Sequence, residues 1–407
     1  MSLWSNWNQR PLWSSGSENY PASIMLRGIS DWIKLWLQRR FNCLIPYLLF
    51  LGCIYFMYLL ADLRYSSISK PAAENFLNKK EFFEELNEKY FGGKFASRTV
   101  GKECVNQVDT ECYYALDQLV QNPEGEYYVI RLLTWNSVVV EGGVISLRKL
   151  ITPAVKNRQN MDTTYWEVNP KVIDNIMTVR YMLEGMFVSG AVEMSSEATG
   201  DVLVIGIGGG DLVNHFASVY PNIKVTAVDI SSVVVEFGRK YFGLRDHPNT
   251  KIQIRYGEEI LREYAQQGKV VNAIHVDACF NELIQGGWAC PVPTFATEEV
   301  MKDMAAVIGS KGIVTFNMLY GITAKQKEMV GEFLQILSPF FRNCYVYSLP
   351  LLPNNVIACH NFPSGGNLEL TKESKKFMKD HGTELLLQDV GFTFNKYQKR
   401  RIPDESL

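Results

Sequence analysis

Three glycines at alternate positions, Gly206, Gly208 and Gly210, close an apolar run in "DVLVIGIGGGD" (201–211). Residues without a Cβ let a turn tighten and let a ligand lie directly on main-chain N–H groups, and a helix starting there adds the positive end of its dipole. Twenty-three residues after Gly206, "KVTAVDIS" carries Asp229, a carboxylate able to accept hydrogen bonds from both hydroxyls of a ribose. Its other reading is a cap for a helix begun at Ser231-Ser232. In "IRYGEEIL", Glu258 follows Gly257 and is placed either to meet an adenine's exocyclic amine or to open a solvated helix. "NAIHVDACF" brings Asp277 to the mouth of the same site, while His275 inside the run reads as a core histidine. No His/Cys/Asp cluster has metal-ligand spacing, which argues against a metal centre.

The glycine spacing separates two nucleoside cofactors. A dinucleotide site calls for G-x-G-x-x-G, and the position that would carry its third glycine is Asp211. G-x-G-x-G followed by acids at the ends of the second and fourth strands fits S-adenosylmethionine better.

These residues need strand tips to hold them. Strands are predicted at 201–206, 224–229, 251–255, 270–276, 312–318 and 355–360, with helices between, an alternation that implies crossover units and a mostly parallel sheet. Upstream, "EYYVIRLLTWNSVVVEGGVISLRKL" (126–150) is rich in Val, Ile, Tyr and Trp and predicts two or three antiparallel strands turning at Gly142-Gly143. Amphipathic helices are predicted in "ENFLNKKEFFEELNEKYFGG" (74–93), stopped by its glycines, and in "NPKVIDNIMTVRYMLEGMFVSG" (169–190).

One segment departs from the pattern of a soluble chain. "FNCLIPYLLFLGCIYFMYLLA" (41–61) carries no charge over 21 residues, enough at about 1.5 Å per residue to cross a hydrocarbon core of roughly 30 Å. "SDWIKLWLQRR" (30–40) precedes it as an interfacial helix. Arg27, Lys34, Arg39 and Arg40 stand before the span against Arg64 and Lys70 after it, so the charge bias favours a cytosolic N-terminus with the large domain across the membrane. Against this, the chain has no Asn-x-Ser/Thr glycosylation acceptor. Beyond the span's Cys43 and Cys53, six cysteines allow three bridges or six thiols, and Cys104 and Cys112 are near enough to pair or to stay buried thiols. The net charge of −2 gives no global field for nucleic acid, and none is expected as a partner.

Residues 201–320 resemble a class I methyltransferase of the spermidine-synthase-like group. They are especially similar to the C-terminal domain of the methyltransferases that modify elongation factor one-alpha on lysine and at its N-terminus. "VLVIGIGGGDL", "VTAVDIS", "YFGL", "HVDACF" and "CPVPTFATEEVMKDMAAVIGSKGIVTFNML" carry the likeness, and "SVVVEGGVISLRK" resembles the small β-hairpin domain ahead of the catalytic sheet in spermidine synthases. The resemblance implies that Gly206, Gly208 and Gly210 hold the cofactor's methionine moiety, Asp229 its ribose and Glu258 its adenine, with Asp277 at the reaction centre. It also implies a departure. Aminopropyltransferases carry Asp-x-x-Asp where this chain reads Asp277-Ala278-Cys279-Phe280, so the second polyamine-gripping acid is a phenyl ring.

The expected architecture is therefore α/β, a Rossmann-like class I methyltransferase sheet with helices on both faces, preceded by a small antiparallel β region and one transmembrane helix. The expected segments are a tail with interfacial helix (1–40), the span (41–61), a helical linker (62–124), a β-hairpin region (125–160), the methyltransferase-like domain (161–365) and a C-terminal helix and tail (366–407). The expected function is a membrane-anchored, S-adenosylmethionine-dependent methyltransferase acting on a protein amine. The alternatives are a catalytically silent membrane-anchored scaffold and a spermidine-synthase-type aminopropyltransferase.

Overall fold

The computed structural model describes residues 77–92, 96–105, 112–122, 124–135, 143–173, 178–195, 197–281, 287–320, 326–349 and 354–362. The predicted tail, interfacial helix, span 41–61, Gly142 of the predicted hairpin turn and the C-terminal segment 366–407 lie outside the described residues. Among the described residues no helix is long and apolar enough to cross a membrane.

From Leu77 on, the chain forms one compact unit. It opens with helix α1 (Lys79–Leu86), started by a capping box in which the Asn78 side chain accepts from the Glu81 N–H and Glu81 answers to the Asn78 N–H. A wider turn (Asn87–Phe91) ends at Gly92, whose φ of 71° stops the helix as its glycine predicts. Phe82, Phe83 and Leu86 are buried against Leu119, Val129 and Trp166.

Four antiparallel strands follow, in the order β1 (Ser97–Cys104), β2 (Cys112–Gln121), β3 (Tyr127–Trp135), β4 (Val144–Lys149). This corrects the helical linker expected over 62–124 and enlarges the hairpin region expected over 125–160. Charges inside the strands hide them: Asp117 sits mid-strand in β2 yet is fully buried, because Arg131 of β3 donates to both its oxygens at 2.6 and 2.8 Å. The same guanidinium reaches the Thr163 and Tyr241 carbonyls and so ties the small sheet to the rest of the unit. Tyr113, Ala115 and Leu133 pack beside it on Val234, Phe237 and Phe242.

Beyond α2 (Thr178–Val188), the chain alternates through β5 (Gly200–Ile205), α3 (Asp211–Val219), β6 (Ile223–Asp229), α4 (Ser232–Tyr241), β7 (Thr250–Ile254), α5 (Gly257–Gln266) and β8 (Ala273–Val276). It continues through the short β9 (Trp288–Cys290), α6 (Glu298–Ile308), β10 (Ile313–Tyr320), α7 (Gln326–Leu337), β11 (Asn343–Ser348) and β12 (Asn354–His360). The sheet runs β11-β12-β10-β8-β5-β6-β7, with β9 paired to the end of β10. β12 is antiparallel to both of its neighbours, whereas β10, β8, β5, β6 and β7 pair in parallel. All six predicted strands are present.

Both faces of the sheet are covered, so its strands are apolar on consecutive residues. Val202 and Val204 join one layer with Met182, Val213 and Phe216, while Leu203 and Ile205 join the other with Ile260, Met301 and Met304. Every parallel strand therefore ends at the same edge, and the polar residues there converge.

The six cysteines of the described residues form three bridges, Cys104–Cys112, Cys279–Cys290 and Cys344–Cys359. The first and third join residues directly opposite in antiparallel strand pairs.

Removing Asp117 strands a buried cation, a loss of about 3–5 kcal/mol. Urea unfolding of Asp117→Ala should show that drop, and a change under about 1 kcal/mol would mean that the Arg131 pair does not anchor the small sheet.

Candidate active site

The carboxylate of Asp229 sits at the tip of β6, where its two oxygens are held differently. One accepts the Ile207 N–H at 2.8 Å, and the other accepts the Ser231 N–H at 2.9 Å. Burial pushes its pKa up, and main-chain donors from Ile207, Gly208, Ser231 and Ile230 pull it back. Asp229 does not cap α4. That role falls to Ser231, whose hydroxyl accepts from the Val234 N–H at 3.2 Å.

The glycine-rich turn serves the protein first. Gly206 has φ of 90°, and a Cβ there would lie 2.4 Å from the Asp277 carbonyl oxygen, so the tips of β5 and β8 could not meet around any other residue. The donors expected to face a ligand are already used. Gly206 N–H bonds to the Val228 carbonyl, Ile207 and Gly208 to Asp229, Gly209 to the Ser146 hydroxyl at 2.8 Å, and Gly210 to the Ile207 carbonyl. This corrects the expectation of free N–H groups. What the turn offers is a wall without side chains at Gly206 and Gly208, both of which border the cavity. Gly210 does not border it. It starts α3 with φ of 86° and packs against Leu244.

That cavity has a volume of about 1390 Å³ and lies between the strand tips and the small sheet. Asp229, Glu258 in the first turn of α5, and Asp277 all line it, so three of the acids singled out in the sequence share one chamber. Buried Gly257 admits α5 to the sheet, since a Cβ there would come 2.5 Å from Ile205. His275 is fully buried, bonded through Nδ1 to the Thr315 hydroxyl at 2.7 Å, and its pKa is lowered to about 3 by burial; it is a core histidine.

Asp277 departs from ordinary carboxylate behaviour. Burial lifts its pKa to about 7; the Asn317 amide, donating at 2.7 Å, opposes that rise, and the nearby Asp211 and Asp229 add to it. The Cys279 sulfur lies 3.6 Å from Oδ1, and because it is locked in the bridge to Cys290 it carries no proton to share. Phe280 is 44% exposed at the rim.

Several lining groups carried no motif. The Tyr113 hydroxyl of β2 accepts from Asn281 at 3.0 Å and also hydrogen-bonds Ser231, spanning from the small sheet to the large one. Ser146 reaches the glycine turn from β4, and Arg148 pairs with buried Asp211 at 3.0 Å. Asn317 had a usable signal, a polar residue near the carboxyl end of the apolar run "IVTFN".

A doubly wound sheet whose last-but-one strand in sheet order is the reversed one, with acids at the tips of its second and fourth strands, defines a Rossmann-like fold of the class I methyltransferase type. The family model for the spermine/spermidine synthase domain matches residues 138–365, more than half of the chain, and the chain belongs to that family. It is similar to an eEF1A lysine and N-terminal methyltransferase homolog of Drosophila melanogaster, 26% identical over 183 residues, which are 45% of this chain and 26% of that protein. It is also similar to a polyamine aminopropyltransferase of Vibrio vulnificus, 24% identical over 144 residues, 34% of this chain and 46% of that one. The match thus spans about a quarter of the first relative and under half of the second. Among solved structures, human methyltransferase-like protein 13 in complex with SAH aligns with a TM-score of 0.44 at 20% identity, covering 52% of this chain and 93% of that one.

The raised pKa has a stability consequence. Folded Asp277 keeps its proton up to about pH 7, where the unfolded chain has already released it, so stability falls as pH rises from about 4 to 7. Asp277→Asn should therefore be more stable than the parent at pH 8, by ~2–4 kcal/mol, and nearly equal to it at pH 4. Equal stability at both pH values would remove the buried-acid assignment.

Proposed function

We propose that this protein is a membrane-anchored S-adenosylmethionine-dependent methyltransferase whose acceptor is an amine on a protein. The observation that carries the reading is Asp229, a carboxylate tied back to the glycine turn and still lining the cavity that Asp277 also lines. The residues fit the cofactor. Asp229 takes the ribose hydroxyls, Glu258 the adenine amine, and the side-chain-free wall at Gly206 and Gly208 takes the methionine portion. When bound, S-adenosylmethionine supplies a methyl group on a sulfonium.

The chain's own residues do the rest. The cavity between the two sheets would hold the acceptor nitrogen beside the cofactor's methyl group, which would convert an encounter into a positioned reaction. Asp277, with a pKa of about 7, accepts the proton that the amine loses. Aminopropyl transfer to a polyamine is disfavoured, because the position of the second acid is Phe280, a rim residue that cannot grip a cation as a carboxylate does. The eEF1A methyltransferase relatives support a protein acceptor.

In this reading, residues 41–61 cross the membrane once, with the N-terminus cytosolic and the catalytic domain on the far side. Three disulfides among the described residues support an oxidising surrounding for that domain, since reducing compartments keep such thiols free.

Loss of two hydrogen bonds to a charged acceptor costs about 100-fold or more in affinity. Calorimetry should show Asp229→Ala losing at least that much for S-adenosylhomocysteine; unchanged affinity rejects the ribose assignment. With labelled S-adenosylmethionine and a cell extract, label should appear on a protein band, whereas label on nothing points to a silent scaffold. Added protease should spare the C-terminal domain in sealed microsomes until detergent is present, and digestion in intact vesicles overturns the topology.

A further inference from the structure

The cavity wall on the β10–β12 side is made of amides. Asn317 on β10 is 7% exposed and Asn354 on β12 is 9% exposed, and both line the cavity. Their placement follows from register. Phe316 lies beside Val276 in the parallel pair, which sets Asn317 beside Asp277. Leu319 faces Asn354 and Asn317 faces Val356 in the antiparallel pair, so the two asparagines are diagonal neighbours on one face. The Asn354 amide donates to the Asn317 carbonyl oxygen at 2.8 Å, and the Asn317 amide donates to Asp277 Oδ1 at 2.7 Å.

We propose that Asn317 and Asn354 are positioning residues, an amide relay that fixes the polarity and orientation of the Asp277 carboxylate and leaves its second oxygen for the acceptor amine. The role toward the amine rests on the methyl-transfer reading above; the relay itself does not.

Counting donors and acceptors fixes the orientation of Asn317. An amide can present either its oxygen or its nitrogen to a neighbour. Because Asn354 supplies a donor, Asn317 must turn its oxygen toward β12 and its N–H toward Asp277. The reversed amide would set N–H against N–H on one side and oxygen against oxygen on the other. Asn317 therefore meets Asp277 only as a donor, which favours the ionised carboxylate and opposes the rise that burial imposes. Without Asn354, Asn317 is free to turn. Two nearly buried amides are costly unless bonded, and here each bond serves the next.

The other charged groups that face Asp277 are Asp229 from β6 and Asp211 from α3, the second neutralised by Arg148 of β4. The loop after β8 contributes the Cys279–Cys290 bridge, which does not titrate. Among the described residues no hydrogen bond reaches Asp277 Oδ2, the oxygen assigned to the amine.

The test is a titration of the ligand-free protein with side-chain ¹³C-labelled aspartate, the Asp277 carboxyl resonance being identified by its loss in Asp277→Asn. In Asn317→Leu the midpoint should move up by about one pH unit. In Asn354→Leu it should move in the same direction by less, with affinity for S-adenosylhomocysteine retained in both. Unmoved midpoints with retained affinity overturn the relay. Should either variant fail to fold, the parent protein decides. The side-chain amide resonances of Asn317 and Asn354 should both follow the Asp277 midpoint, and amides that ignore it overturn the proposal. A protein that shows these linked titrations but transfers no methyl group loses the function proposed above and keeps the relay. Methyl transfer with unlinked titrations rejects the relay alone.

Discussion

The site depends on one half-buried carboxylate. Asp229 stands at the end of β6 where water is scarce, and a carboxylate there is unfavourable unless main-chain dipoles replace the lost solvent. The Ile207 N–H comes from the glycine turn and the Ser231 N–H from the entry to α4, so the same charge holds the end of β5, the end of β6 and the start of a helix in one arrangement. With the turn fixed, Gly206 lies against the Asp277 carbonyl, and the acid at the tip of β8 is set by the one at the tip of β6. The side-chain-free wall and the position of Asp277 are therefore not independent features. They are consequences of a single electrostatic requirement at the sheet's edge.

Much of this was legible because its causes are local. The apolar runs 201–206 and 312–318 read as strands since both faces of the sheet are covered, and the glycines and acids read as tip residues since they end those runs. The core role of His275 followed from its place inside such a run. What escaped the sequence depends on distant partners. β2 was hidden because Asp117 looks like a loop residue until Arg131, fourteen positions later, neutralises it. β11, "NCYVYS", is too short to show a period, and its strand character comes from pairing with β12. Ser146 and Tyr113 join the site only once the two sheets are packed together, and Asn354 only once β12 pairs with β10.

The glycine turn shows how a correct motif can carry a wrong mechanism. Bare backbone was expected to lend its N–H groups to a ligand, yet all five donors from 206 to 210 are consumed by the β6 chain end, by Asp229, by Ser146 and by the turn itself. The absence of side chains answers a packing demand, the approach of β8 and of the small sheet. A smooth wall for a ligand is the by-product. Ser146 explains why the small sheet belongs to the catalytic unit: its hydroxyl completes the turn that the large sheet leaves one acceptor short.

The family frames two chemistries on one scaffold, and the end of β8 distinguishes them. A polyamine is a string of cations, and gripping one calls for several carboxylates that stay ionised. Here Asp277 meets the Asn317 amide and the Cys279–Cys290 bridge, and burial together with the neighbouring Asp211 and Asp229 raises its pKa toward neutrality while the amide opposes the rise. Such an acid is poorly suited to hold a permanent cation and well suited to take a proton and later release it. The replacement of the second acid by Phe280 is thus consistent with the whole lining of this end of the cavity.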